Sequence, residues 1–290
     1  MSLLTVGNPK LLKGEKKGYL SSVLHFAPAD LSGKEVCPKR TAGCTAACLN
    51  TAGRGGIFKK GETTNVIQQA RIRKTKYFFE NRRDFLNELT VEIVKTIAKA
   101  EKLGLIPVFR LNGTSDLAWE KYEVAAGKNI FQMFPDVQFY DYTKVNNRKV
   151  SHIPNYHLTF SKADGNDMDV RIALSNGMNV AAVFHEVPET YLGRKVINGD
   201  ETDLRFLDPK GVIVGLKAKG ALLNLPNHLW KGIYTTNYDE LVEDAYQRAH
   251  KPLTVFSSDF DFKAQGDPTA TKLFKLHGTI NKDSVDGYVH

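Results

Sequence analysis

At 290 residues, 42% apolar and 25% charged, the chain has the make-up of one large or two smaller folded domains and not of a disordered or fibrous protein. No run approaches the roughly eighteen apolar residues of a membrane span, and MSLLTVGNPKLLKGEKKGYL at the N-terminus lacks the apolar core of a secretory signal. A membrane partner is therefore excluded and a cytoplasmic setting, with reduced thiols, is expected. The net charge of +8 is uneven: residues 221–290 hold 7 basic and 9 acidic groups (−2), which leaves 33 and 23 (+10) in the first 220. That shift marks a domain boundary near GLKAKGALLNLPNH, so the expected domains are 1–220 and 221–290.

In chain order, YLSSVLHFAP at 19–28 reads as a strand, and a cysteine-bearing loop follows it directly. A long helical pattern starts near Glu62. In its second half Phe85, Leu89, Ile93 and Ile97 recur every four residues, with Asp84 as the expected N-cap and Gly104 as the C-cap. Short apolar runs then repeat: IPVFRLNG at 106, VQFYDYT at 137, NYHLTFS at 155, NVAAVFHE at 179 and GVIVGLKA at 211. Alternation of strand and helix predicts an α/β fold with a parallel sheet, as a partial or complete β/α barrel.

In such barrels the active face lies at the C-terminal ends of the strands. Arg110, Asn112, Thr114 and Asp116 follow one run, Asp141, Tyr142 and Lys144 another, and Lys217 a later one. Arg110, Asn112, Asp141, Lys144 and Lys217 are therefore expected around one cavity with the cysteine loop. Asp141 and Lys144 are the candidate catalytic residues there. The alternative is that polar residues collect where strands end on any scaffold.

All three cysteines of the chain lie within twelve positions, as Cys37-x6-Cys44-x3-Cys48. Such crowding suits thiolate ligation better than scattered core packing. An iron–sulfur cluster with three protein ligands leaves one iron open. Zinc is the alternative, with a fourth ligand from His25 or His185. A third reading has no metal at all. The segment holding Arg71, Arg73, Lys74, Lys76, Arg82 and Arg83, interleaved with Tyr77, Phe78 and Phe79, reads either as a nucleic-acid contact or as a solvated helix face.

CPKRTAGCTAACLNTAGRGGIF, QQARIRKTKYFF, VFRLNGTSDLAWE, VQFYDYTK, NYHLTFS and DLRFLDPKGVIVGLKAKG together resemble the phage "gene product 88" family, over about residues 1–220. The layout is similar to that of radical S-adenosylmethionine enzymes, with three cysteines after the first strand, although their common spacing is Cys-x3-Cys-x2-Cys. By that analogy Cys37, Cys44 and Cys48 hold a 4Fe–4S cluster. Gly113 in LNGTSD stands where those enzymes contact the methionine amino group, with Arg110 and Asn112 as further cofactor contacts. The implied substrate is a nucleotide or nucleic acid, and the setting a host cytoplasm.

The tail carries GIYTTNYDELVEDAYQ at 232–247 and KLFKLHGTI at 272–280, which resemble a sirtuin-like NAD-hydrolase domain. The resemblance implies that Asn237 and Asp239 contact NAD and that His277 is the catalytic base. The simpler alternative is a turn and a helix cap at Asn237 and Asp239. No glycine-rich phosphate loop precedes residue 232 in the required context, and AGRGGIF at 52–58 belongs to the cysteine loop. The tail is therefore expected to be a fragment without hydrolase activity of its own. Three functions stay open: an iron–sulfur enzyme, an NAD-binding or NAD-hydrolysing protein, and a non-catalytic nucleic-acid-binding protein with structural zinc.

Overall fold

The computed structural model describes residues 2–6, 11–46, 48–51, 53–57, 63–217, 233–235, 241–257 and 267–275. The chain divides into two compact units, Met1–Val183 with Val187–Leu216, and Phe184–Glu186 with Lys217–His290.

The first unit is built on a nine-stranded sheet. Its strands are β1 (Leu4–Val6), β2 (Tyr19–Leu24), β3 (Ile106–Arg110), β6 (Gln138–Thr143), β7 (Tyr156–Ser161), β8 (Val180–Phe184), β9 (Thr190–Tyr191), β10 (Arg194–Asn198) and β11 (Ile213–Lys217). They lie in the order β1-β2-β3-β6-β7-β8-β11-β10-β9. The ladders from β2 through β8 and between β10 and β11 are parallel; the edge strands β1 and β9 pair antiparallel. No ladder among the described residues joins the two edges, so the sheet is open and the complete barrel expected from the alternating pattern is not formed. A separate hairpin of β4 (Glu123–Ala125) and β5 (Lys128–Asn129) leads into α6 (Ile130–Met133).

Between β2 and β3 run α2 (Ala29–Ser32), α3 (Ala42–Ala46), α4 (Val66–Glu80) and α5 (Arg82–Lys102); α1 (Leu11–Glu15) precedes β2. Asn65 starts α4 by accepting the Gln68 N–H on its side chain. The helices break at Asn81 (φ −135°, ψ 56°), three residues before the expected cap. Asp84 sits instead in the first turn of α5, where its charge suits the helix dipole. Gly104, at φ +65°, takes the left-handed turn that ends α5.

The alternating side chains of the strands sort onto two faces. Leu24, Phe109, Phe139 and Leu158 meet Phe78, Phe85, Leu89 and Ile93 of the helices in one buried cluster. Phe85 packs against Phe26, Tyr77 and Phe78 at centroid distances of 5.7, 5.5 and 5.3 Å. The other face is mixed. Val108, Tyr140 and Leu204 form a small cluster there with Tyr19 and Phe206.

In the second unit β12 (Ile233–Thr235), β14 (Thr271–Lys275) and β13 (Leu253–Phe256) form a parallel sheet in that order. Helix α8 (Leu241–Arg248) contributes Val242 and Tyr246 to a core around Leu273. The buried Lys275 ammonium pairs with Glu243 at 2.8 Å.

Deleting the Phe85 ring leaves a cavity in the largest cluster and is expected to cost about 3–5 kcal/mol. The half-exposed Val91 on the same helix gives the control, with Val91→Ala staying within about 0.5 kcal/mol. Urea midpoints of Phe85→Ala and Val91→Ala check this; equal midpoints would refute the assigned core.

Candidate functional site

Strand β3 delivers the chain to a tight loop at residues 112–119. The fully buried Asp141 on β6 accepts the Asn112 backbone N–H at 2.8 Å and lies 3.4 Å from its Nδ2. Asn112 Nδ2 also donates to the Leu117 carbonyl, and its Oδ1 accepts from Ser115 Oγ, Leu117 N and Trp119 Nε1 at 2.8–3.2 Å. Every polar atom of the Asn112 carboxamide is thus engaged, by its own loop and by Asp141, which gives it a positioning role.

The folded loop reaches back to the end of β2 and to the cysteine segment. Gly113 N–H donates to Leu24 O, Thr114 Oγ1 to Phe26 O, and Asp116 N–H to Val36 O. The Thr114 carbonyl lies 3.9 Å from Cys37 Sγ. Gly113 is required by close approach: a Cβ there would stand 2.4 Å from Val23 Cγ1 and 2.7 Å from Leu24 O. Lys144 N–H donates to Asp116 Oδ2, and the buried Arg148 holds Asp116 at 3.3 Å and Glu120 at 2.5 Å.

Cys37, Cys44 and Cys48 line one small cleft with Pro28, Arg40 and Thr45, beyond the C-terminal end of β2. All three are free thiols. Burial, with Asp116 and the other two thiols, pushes the Cys37 thiol up to about 12, against the pull of Lys144. The donor chemistry suits a soft metal, but the cavity, at about 20 Å³, has room for about one water. Among the described residues no three His, Cys, Asp or Glu side chains are grouped closely enough to hold a metal ion. The fit is therefore one of donor type and shared cleft, without the room a cluster needs as the side chains stand.

None of Arg110, Asn112, Asp141, Lys144 and Lys217 lines the thiol cleft. Asn112 and Asp141 are one unit, and Lys144 joins the same loop through its backbone. Arg110 points to the opposite face, where it pairs with Asp203 at 2.6 Å and lies over the Tyr142 ring at 4.9 Å. Arg205, almost wholly buried, lies 3.3 Å from Asp208 on that same connection. Sequence reasoning missed Asp203, Arg205 and Asp208; the signal was the charge placed between apolar residues in DLRFLD. His25, the zinc-ligand candidate, does not line the cleft; burial, with Arg71, Arg110 and Lys74 nearby, lowers its pKa to about 3. His185 belongs to the other compact unit.

The basic segment is divided by its helix geometry. Arg71 Nη1 binds Asn50 O and Oδ1, and Lys74 Nζ binds Leu3 O. Arg82 lies over Phe78 and Tyr122 at 4.9 and 4.8 Å. Arg73, Lys76 and Arg83 are exposed. His277, Asn237 and Asp239 lie outside the described residues.

Against this geometry, the family model for gene product 88 matches residues 2–232. The chain belongs to the gene product 88 family. A SIR2-like domain model matches residues 231–287. No curated protein and no solved structure matches the chain. In this family member the quoted motifs VFRLNGTSDLAWE and VQFYDYTK are the two segments joined by Asn112 and Asp141. DLRFLDPK is the segment that supplies Asp203, Arg205 and Asp208.

Two outcomes follow. A Cβ at 113 meets backbone, which cannot swing away, so Gly113→Ala should lower stability by roughly 1–3 kcal/mol in urea unfolding; no change would contradict the contact. Burial pushes the Asp141 carboxyl up to about 7, against Arg110 and the Asn112 N–H. An unfolded Asp titrates near about 3.9, so the native chain holds this proton longer. The contribution of Asp141 is complete below about pH 4 and is lost as pH rises through about 7. Wild type should therefore lose stability relative to Asp141→Asn between about pH 4 and 7, with no further change above that. A pH-independent difference would refute the raised value.

Proposed function

We propose that the gene product 88 body is a thiolate metalloprotein acting on a nucleotide or nucleic-acid substrate at the C-terminal edge of its parallel strands. The observation that carries this is that Cys37, Cys44 and Cys48 line one cleft after β2. The layout of three thiols after the first parallel strand supports an iron–sulfur cluster with S-adenosylmethionine at an open iron. A single zinc ion on the same thiolates, with a fourth donor, is the alternative. The protein's own groups supply the setting: Asp116 and the Thr114 carbonyl fix the wall behind Cys37, and Lys144 places positive charge beside it. Asp141 and Lys144 hold the loop that forms this wall.

Iron, acid-labile sulfide and zinc per chain, measured after anaerobic purification, test the reading. Bound metal that disappears in the Cys37→Ser/Cys44→Ser/Cys48→Ser variant is the expected result. Iron with sulfide assigns the cluster, and one zinc per chain assigns the single ion. A metal-free wild type, or metal retained by the triple variant, would end the proposal.

A second reading rests on the SIR2-like match at 231–287. It makes Asn237 and Asp239 the NAD contacts and His277 the base acting on the ribose. No glycine-rich phosphate loop precedes the match, and backbone N–H groups of such loops usually capture the two phosphates. Incubation with NAD is therefore expected to release no nicotinamide. Release that stops in His277→Ala would make the tail the active part of the chain.

A further inference from the structure

A cleft of about 300 Å³ lies between the last turn of α7 (Asp167–Ser175) and the β9–β10 hairpin. It is lined by Arg171, Leu174, Ser175, Leu192 and Arg194. Helix α7 leads into β8 through residues 176–179, and the Val180 N–H at the start of β8 binds Val212 O just before β11. Arg194 opens β10, which runs parallel to β11. The cleft is therefore at the N-terminal edge of the sheet, opposite the edge that carries the thiols.

The two arginines are not engaged elsewhere among the described residues. The acids nearest Arg171 on its own helix are taken: Asp167 pairs with Lys162 at 2.6 Å and Asp169 accepts Asn146 Nδ2 at 2.5 Å. Nor do the arginines cap the helix. Ile172 O already accepts from the Asn176 N–H and Ser175 Oγ, Leu174 O from the Asn176 and Gly177 N–H groups, and Ala173 O from the Met178 N–H. Arg171 and Arg194 are both exposed residues. Leu192, at φ +50°, is a non-glycine residue in the left-handed region and leaves 41% of its surface open at the hairpin tip. Such strained positions cluster where ligands bind.

A carboxylate is satisfied by one bidentate arginine. A tetrahedral phosphate offers oxygens to guanidinium groups approaching from two sides. Leu192, 41% exposed, adds an apolar contact of the kind that covers a sugar or base. We propose that this cleft binds a nucleotide phosphate, as a free nucleotide or as one unit of a single strand, between Arg171 and Arg194. The site stands apart from the thiol cleft, so its failure and that of the metal reading are separately visible.

The test uses the full chain, with a fluorescein-labelled 20-nucleotide single-stranded DNA followed by anisotropy and with AMP followed by calorimetry. Arg171→Gln/Arg194→Gln should weaken one of these probes by roughly tenfold or more, since each lost bond is to a charged group. For the strand, the slope of log affinity against log salt should also shrink by about 0.7 for each phosphate released. Loss of AMP binding assigns a free nucleotide; loss confined to DNA assigns a strand. Lys195→Gln, on the exposed neighbouring position, should leave both probes unchanged. Arg171→Lys/Arg194→Lys keeps the charge but loses the forked geometry, and should also weaken binding. Overturning results are a wild type that binds neither probe, a glutamine variant equal to wild type, a lysine variant equal to wild type, or Lys195→Gln weakening binding as much as the double variant.

Discussion

The carboxamide of Asn112, locked to the buried carboxyl of Asp141, is the interaction on which the candidate site depends. A buried polar group costs free energy unless each of its atoms is partnered, and here every one is. Asn112 thereby ties the end of β3 to β6, chiefly through its backbone N–H, and its side chain closes the loop from 112 to 119 on itself. The closed loop offers its Gly113, Thr114 and Asp116 to the segment that starts the cysteine loop. The position of Cys37 follows from a residue seventy-five positions away.

The same constraint explains why the two faces of the sheet differ. Toward the helices, Asp141 is the polar exception in an aromatic cluster, and Tyr156 and Asn112 turn donors to it. On the opposite face Arg110, Tyr140 and Tyr142 meet Asp203 and Phe206. Arg110 and Asp141 are neighbours along the strand ends, yet alternation places them back to back. The thiol cleft is therefore braced from the helix side, and Arg110 pairs with the connection on the other side.

The periodic elements were legible in the sequence. The strands at 19, 106, 137, 155, 179 and 211 and the four-residue repeat of Phe85, Leu89 and Ile93 reflect local pattern, and the cysteine loop does follow the first of these strands. The two-part family assignment was legible too, in the motifs. Helix breakage at Asn81 was not, because Asn81 and Asp84 are equally good caps by residue type and Asn81 breaks the helix without a side-chain cap bond. The edge strands β1 and β9 were short and carried no alternation to detect. Arg110, Asn112, Asp141 and Lys144 were recognised as polar strand ends, but whether each serves a cleft or a neighbouring loop is decided by long-range pairing. Arg110 and Asp203 are ninety-three residues apart, and no spacing rule joins them.

The central claim is that the Asn112 node shapes the thiol cleft. Residue-resolved alkylation with iodoacetamide, read by mass spectrometry, measures it directly on wild type and Asn112→Ala. In wild type Cys37 should label more slowly than Cys44 and Cys48, because burial and Asp116 hold it as the thiol. In the variant the Thr114 wall is released, and labelling of Cys37 should accelerate by roughly tenfold or more while the other two change little. Equal rates at Cys37 in the two proteins would contradict the account.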